Sequence, residues 1–584
     1  MTDWIAFVQS TELPLANSPT KPRAQPTYPK QTNVGPINIH HHSTLAIHHW
    51  EHAEWSIALL GTGSIREDFL DTWLSDPTRA INTCSDGFIL IAFDKKHNRC
   101  WLVRDSLGFQ NAYWGRQEDR LCVASSLQLL NRQWTARPEL AMEHVSEYLS
   151  FRYTHAPRTL FKDRYSLIAG HITIIDPHKV HVERWYRPQW YEMGQNIPSE
   201  KEALLEVDYL LRRSLEPDLF SGSKMGVLLS GGLDSSAILY HAHQLGYSLD
   251  SFTVMIEGVD SDESPFAGRI AHLYNSPNHL LRLGSTEIIE ALRKSVDVFD
   301  LPLSTPAAVV QQLLCEASLQ YVDRLFTGDG GDEVFGGRSM PIIAREMRRS
   351  KMIHRLPKMS QLGLHRVAKR MGKGAWFTDL NQFGLEEEIG GSKVFSATER
   401  ATLLQDPAYI RPNIRKQTLT NFYQEIDSDP LNDILYVWQR GWLVEDSLHR
   451  IRTLSPTMAI PMLNRELREY CARLPSHYKV RSQGLEFYGK WLMRENMKKR
   501  MPKRLLSRPK RTLMAPLDQW LRKDGRNFLA QTITEMTRFE EHIFQPNRLH
   551  ALYREHTNGD KNHGLKLWTL LLFHLWYKRH IRGK

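Results

Sequence analysis

The sequence predicts an α/β protein: a largely β N-terminal domain, then a parallel sheet covered by helices, then a helical extension. Three observations predict it. Short apolar runs at residues 87–93 (GFILIAF), 100–103 and 121–124, each bounded by turn or charged residues, mark strands between Ser56 and about Pro188. From Lys201 strand and helix patterns alternate, as in parallel strands joined by helical crossovers. From about Pro341 the chain is mostly helical in pattern and rich in Arg, Lys and Trp. With 584 residues, 41% hydrophobic and 24% charged, the composition is that of a soluble globular protein of about two or three domains. A wholly disordered, collagen-like or coiled-coil chain is excluded.

The elements follow in order. Residues 14–36 carry Pro14, Pro19, Pro22, Pro26, Pro29 and Pro36 among polar residues and read as an irregular or mobile loop. His40, His41, His42, His48, His49 and His52 come next; their spacing fits no standard metal-ligand pattern, which leaves metal binding the minor reading. Residues 187–200, with Pro188 and Pro198, read as a linker. Residues 201–215 read as an amphipathic helix, 225–229 as a buried strand, 235–245 as a helix and 251–256 as another strand. The net charge of +10 suits an anionic substrate as well as nucleic acid. The five cysteines form no C-x-x-C pair and read as small buried hydrophobes in a reducing cytosol. The start, MTDWIAFVQSTELP, lacks a secretory signal pattern, and the apolar stretch 565–576 contains Lys566 and His574 and is too short to span a bilayer. A cytoplasmic protein is expected.

The sharpest feature is residues 226–236, GVLLSGGLDSS, where an apolar strand runs into Ser230-Gly231-Gly232-Leu233-Asp234-Ser235-Ser236 at the start of a helix. Glycines let backbone approach a ligand without a Cβ clash. Amide N–H groups at a helix N-terminus face an anion, with the helix dipole behind them. Ser230, Ser235 and Ser236 add hydroxyl donors. Asp234 is a poor neighbour for bare phosphate but a good one for Mg2+ bridging phosphate oxygens. The G-K-[ST] ending of a Walker A loop is absent. A second motif, TGDGGDEVFGG at 327–337, sets Asp329, Asp332 and Glu333 among five glycines after the apolar run 324–326. Such a loop at the end of a strand is a Mg2+ platform at the carboxyl edge of a parallel sheet.

The first loop resembles the pyrophosphate-binding loop of the N-type ATP pyrophosphatases, which implies substrate adenylation. Together the two motifs resemble the synthetase half of the asparagine synthetase superfamily. Residues 102–108 (LVRDSLG), 151–161 (FRYTHAPRTLF) ahead of Gly170-His171, the segment RPKRTLMAPLDQW with Arg508, Lys510, Pro516 and Trp520, and residues 567–579 resemble further segments of that family. The resemblance implies a degenerate glutaminase-like domain over residues 1–190, an Ntn-hydrolase-like β-rich sandwich. It implies an adenine-nucleotide α-hydrolase-like, parallel-sheet synthetase domain with a helical extension over 200–584. By motif position it implies Asp234 and Asp332 as Mg2+ ligands. Ser230, Gly231, Gly232, Ser235 and Ser236 would hold the pyrophosphate part of ATP, Leu228, Val254 and Met255 would border the adenine, and Gly328 would also be cofactor-binding. Lys510, assisted by Arg508, would meet the charge developing on the intermediate. Asp329 and Glu333 would be catalytic acids, Asp329 as the base toward an incoming amine.

Two departures narrow the reading. Glutamine-dependent members begin Met-Cys and carry an Arg-Gly-Pro-Asp segment; here position 2 is Thr2, no Cys precedes Cys84, and that segment is missing from residues 3–60. A dead glutaminase is expected, its domain kept as scaffold or docking surface. In residues 454–464 (LSPTMAIPMLN), Thr457 and Met458 replace the family's ionic pair and Asn464 replaces an acid. Losing an arginine suited to a free amino acid's carboxylate argues against free aspartate as substrate. The stretch resembles that of some lasso peptide cyclases, which join an Asp or Glu side chain of a precursor peptide to the peptide's own N-terminal amine. β-Lactam synthetases carry a tyrosine where Asp329 stands. The expected activity is thus an ATP-dependent, AMP- and pyrophosphate-forming macrolactam synthetase, with ATP and Mg2+ as cofactors. Its expected partners are a precursor peptide and a leader-binding protein or leader peptidase of the same pathway, not nucleic acid or membrane. The alternative is a glutamine-independent amide ligase using ammonia or a small amine. A non-catalytic relic conflicts with the intact Asp234, Asp332 and Lys510, and tRNA thiolation with the lack of an RNA-binding appendage.

Overall fold

The computed structural model describes residues 3–9, 28, 30–42, 45–117, 120–134, 136–220, 222–257, 262–337, 339–354, 394–506 and 517–583. Strands β1 (Trp4–Gln9), β2 (Lys30–Val34), β3 (Ile37–His41), β8 (Tyr113–Gln117), β9 (Arg120–Ala124) and β10 (Tyr165–Ser166) form one antiparallel sheet in the order β10-β8-β9-β1-β3-β2. Strands β4 (Ile47–Glu51), β5 (Trp55–Gly61), β6 (Phe88–Asp94), β7 (Arg99–Arg104), β11 (His171–Ile175) and β12 (Val180–Arg184) form a second, in the order β12-β11-β7-β6-β5-β4. Side chains alternate across a strand, and here both faces are buried. Ala58, Leu60, Ile89 and Ile91 meet Trp4, Ala6 and Ile39 between the sheets. Ile57, Leu59, Phe88 and Leu90 face outward onto Phe69 and Trp73 of the helix Phe69–Ser75. That double burial is why β6 reads as an unbroken apolar run.

The sheets begin earlier than the proline spacing indicates. Residues 30–34, expected in an irregular loop, are strand β2, paired with β3 from Lys30↔His41 to Val34↔Ile37. The alternation Thr32–Asn33–Val34 against Ile37 and Ile39 carries this pairing, and Gly35 at φ +53° supplies the left-handed turn between the strands. His40 and His41 fall on β3 and His48 and His49 on β4, with His42 and His52 one residue past the strand ends; among the described residues no group of three His, Cys, Asp or Glu side chains could hold a metal ion. All five cysteines are buried and unpaired by disulfides.

The second half is built on a parallel sheet of β13 (Met225–Leu228), β14 (Asp250–Ile256), β15 (Asn278–Leu283) and β16 (Arg324–Phe326), ordered β15-β14-β13-β16. The chain adds β14 and β15 on one side of β13 and β16 on the other. The strand order therefore reverses at β13, and a crevice opens at the carboxyl ends of β13 and β16. A capping box of Ser199 and Glu202 starts the helix Glu200–Leu215, one residue ahead of the sequence expectation. Residues 187–200 lack regular structure until Ser199, yet Trp190 is buried against Tyr436, with Lys479 Nζ 5.2 Å from its ring.

Two features connect the halves. The helix Pro430–Trp438 runs into a ten-residue π-helix, Gln439–Leu448, and on into the helix His449–Leu454. One hydrophobic cluster joins Tyr113, Leu127, Tyr148 and Phe161 to Leu567, Trp568, Phe573 and Trp576 of the helix Gly564–His580. Its apolar length is thereby explained as burial between layers, with Tyr148–Phe573 and Phe161–Trp576 ring contacts at 5.7 and 5.0 Å. Among the described residues no helix is long and apolar enough to cross a membrane.

Candidate active site

A cavity of about 680 Å³ opens at the carboxyl ends of β13, β14 and β16. Its floor is the loop between β13 and the helix Leu233–Gln244, whose first turn carries Asp234. Gly231 holds φ +67°, and a Cβ there would lie 2.7 Å from Ala267 N, so the loop requires glycine at this turn. The loop's internal hydrogen bonds are long: Ser230 N to Ser235 Oγ is 3.4 Å and Gly232 N to Ser230 Oγ 3.3 Å. Donors held this loosely remain available to an anion.

The second loop crosses directly over the first. A Cβ on Gly331 would sit 2.4 Å from Asp234 Oδ1, and one on Gly337 would sit 2.1 Å from Asp332 Oδ1. Only glycines permit this approach, which sets the two carboxylates around one cation, the Lys490 ammonium. Lys490 Nζ is hydrogen-bonded to Asp234 Oδ2 and lies 2.8 Å from Asp332 Oδ1. Lys490 follows the hairpin of β17 (Val480–Gln483) and β18 (Glu486–Gly489) and is itself left-handed at φ +54°. Its amide donates to Phe335 O at 3.1 Å, which ties it to the second loop. Arg494 stands beside it on the cavity wall; burial lowers its guanidinium and the Asp234 charge raises it again, with a lowered net result.

The donor set fits Mg2+. Asp234 Oδ1 is buried with no hydrogen-bond partner, and both acids offer hard oxygens. Mg2+ takes one or two carboxylates together with substrate phosphates rather than a full protein cage. That agrees with a pair of acids here and no larger cluster among the described residues.

The opposite wall is polar. Asp329 accepts from Thr327 Oγ1, from Gln311 Nε2 at 3.4 Å and from Ser447 Oγ at 3.4 Å, and lies 4.0 Å from Arg450 Nη2. Trp442 and Ser447 come from the π-helix, and Arg152 reaches the cavity from the first half of the chain, its guanidinium 5.2 Å above the Trp442 ring. Residues 454–464 do not line the cavity. Ala459 bridges to β16 through Ala459 N–Leu325 O and Thr327 N–Ala459 O, Met458 is buried, and Asn464 caps the helix Arg465–Ala472.

The structure gathers Leu228, Ser230, Gly231, Gly232, Asp234, Ser235, Val254, Gly328, Asp329, Asp332 and Glu333 on one cavity wall or another. Ser236 is placed differently: it is fully buried one turn into the helix and does not line the cavity. Met255 points from β14 away from Val254, and Ile256, on Val254's face, lines the cavity instead. Arg508 and Lys510, like Thr2, lie outside the described residues. Sequence reasoning missed Lys490, Arg450, Gln311 and Ser447; the only local signal for Lys490 was a lone lysine after a hairpin glycine.

Sheet order, glycine-crossed loops and paired acids make a crevice suited to a phosphate-bearing ligand, beside a double-sheet domain. A family model for asparagine synthase matches residues 206–578, and one for a glutamine amidotransferase domain matches residues 64–186. The chain belongs to the asparagine synthase family, whose members are ATP-dependent, AMP-forming amide ligases. It is 24% identical over 544 residues to glutamine-hydrolyzing asparagine synthetase 1 of Bacillus subtilis (strain 168), covering 90% of this chain and 82% of that protein. It is 24% identical over 515 residues to a putative asparagine synthetase of Mycobacterium bovis, covering 86% and 77%. It is 26% identical over 271 residues to asparagine synthetase 1 of Lotus japonicus, covering 43% and 40%.

Proposed function

We propose that this protein is a macrolactam synthetase of the lasso peptide cyclase type. It adenylates a side-chain carboxylate of a precursor peptide and joins it to the peptide's N-terminal amine. The observation that carries the reading is the acceptor side of the cavity. Of the residues that replace the family's ionic pair, Met458 is buried and neither it nor Thr457 lines the cavity, whose acceptor side carries Asp329, Ser447 and Trp442 instead.

The phosphates of ATP dock on Ser230–Ser235, where loop amides and hydroxyls face them. Asp234 and Asp332 would hold Mg2+, which supplies charge neutralisation at the phosphates. The substrate carboxylate attacks the α-phosphorus, and the bond to the β-phosphate oxygen breaks. Lys490 on the cavity wall, with Lys510 of the RPKRTLMAPLDQW motif, meets the charge that develops. The amine then attacks the acyl carbon, Asp329 takes its proton, and AMP leaves. Holding both ends of one peptide makes this step intramolecular, an advantage of about 7–11 kcal/mol in barrier at best.

The test is AMP production from Mg·ATP, with aspartate plus ammonium in one arm and a co-expressed precursor peptide in the other. The expected result is silence in the first arm and, in the second, a product lighter by one water. Asparagine formation in the first arm would end the peptide reading. Asp329→Asn is expected to slow amide formation by roughly 10²–10⁴-fold while ATP–pyrophosphate exchange persists.

A further inference from the structure

We propose that Arg450 is a positioning residue for the acyl-transfer half of the reaction, acting on Asp329 through Gln311 and Ser447. The proposal rests on the reading of Asp329 as the group that takes the amine's proton.

Arg450 is 4% exposed, in the first turn of His449–Leu454 where the π-helix ends. Its Nη1 pairs with Asp446, which is fully buried and also accepts from Thr305 Oγ1. Its Nε donates to Gln311 Oε1 at 2.6 Å, and its Nη2 lies 3.5 Å from Ser447 Oγ. Gln311 and Ser447 are the two side chains that reach Asp329 from the far side, one on each carboxylate oxygen. Arg450, Gln311, Asp329 and Ser447 thus close a ring.

The chemistry of the donors gives the ring a direction. A guanidinium donates only, so the Gln311 end that faces Arg450 is its carbonyl oxygen. The amide end is then turned to Asp329, where it can donate. Asp329, which only accepts, favours the same sense, and Arg450 fixes it from the other end of the amide; without Arg450 the carbonyl end loses its donor and the Gln311 amide is free to turn from the carboxylate. Asp446 in turn holds the guanidinium by an i,i+4 pair on the inner face of the helix. The π-helix delivers Asp446 and Ser447 to this spot from a segment otherwise clamped by the first half of the chain. Glu445 accepts from Ala156 N at 2.9 Å, and Tyr113 Oη meets His449 Nδ1 at 2.9 Å. None of the ring's hydrogen bonds reaches Ser230, Ser235, Asp234 or Lys490. Adenylation and acyl transfer therefore draw on different groups of one cavity.

The experiment compares Arg450→Lys and Gln311→Glu with the unmodified protein, using Mg·ATP and the precursor peptide of the co-expression arm. It reads ATP–pyrophosphate exchange and the amide-to-AMP ratio. Both variants are expected to keep exchange within about threefold and to lower the ratio at least tenfold, the adenylate being lost to water. Gln311→Glu retains an oxygen for Arg450 but cannot donate to Asp329, so it tests the ring without breaking the Arg450–Asp446 pair. Variants that couple amide to AMP as the unmodified protein does would overturn the proposal. So would exchange that falls in step with amide formation in the variant whose thermal midpoint is unchanged. Asp329→Asn in the same assay separates the two levels: full amide formation there removes the underlying reading of Asp329, whatever Arg450 does.

Discussion

Lys490 is the residue on which the two glycine loops converge. Its ammonium, itself buried, serves two carboxylates, Asp332 buried and Asp234 partly buried, and removing it leaves their charges without that shared partner. Lys490→Met is therefore expected to destabilise the nucleotide-free protein by about 3 kcal/mol in urea unfolding, the range for breaking a buried pair from one side. A loss below about 1 kcal/mol would mean that other groups already balance the acids. The sequence made half of this legible. The Ser230–Ser236 loop and the 327–337 loop are contiguous motifs whose glycines and acids state their own chemistry. Lys490 is remote in sequence from Asp234 and belongs to no charged pattern, so only folding shows that it stands between them. Arg450, Gln311 and Ser447 were hidden for the same reason: they come to Asp329 from three separate helical segments, and none of those three carries a motif.

At the scale of elements, the π-helix Gln439–Leu448 is the part that periodicity could not give. The apolar spacing around it is read equally well as α-helix, and i→i+5 bonding leaves no signature in composition. Its function-bearing side chains face the cavity, while Gly441 faces the first half of the chain. A Cβ on Gly441 would lie 3.3 Å from His155 Nε2 and 3.4 Å from Tyr153 Oη, close to the limit of ordinary contact. Ala therefore nearly fits and a branched side chain does not. Gly441→Val is expected to cost about 1–3 kcal/mol by overpacking, and Gly441→Ala clearly less. Denaturant midpoints of the two variants measure this, and equal midpoints would show that the clamp yields. Strand β6 shows the opposite case: its first six residues, Phe88 to Phe93, are buried and apolar on both faces, so it was legible as a strand before either sheet was seen.

For the whole molecule the decisive fact is that the halves share their interior. Glu147, fully buried, is pushed up by burial but brought down further by hydrogen bonds from His155 and Arg158 and by their charges, ending at about 2. Its folded value lies below its ordinary 4.5, so the stability it contributes is present above pH 4.5 and is lost as pH falls toward 2. The shift corresponds to about 3 kcal/mol. Unfolding free energy measured across that window should fall for the unmodified protein and be flatter for Glu147→Gln; equal slopes would contradict the assignment. The sequence placed a boundary near residues 187–200, where the chain does lose regular structure, but chain order alone could not reveal that Tyr148 packs on Phe573 or Phe161 on Trp576. That packing constrains what mutation can do to the molecule. An amidotransferase-like half that has become one wall of its neighbour's core is no longer dispensable cargo: each truncation that would shed it must first expose the face of the helix Gly564–His580 that it covers. Such a domain can be reshaped residue by residue but not deleted in one step.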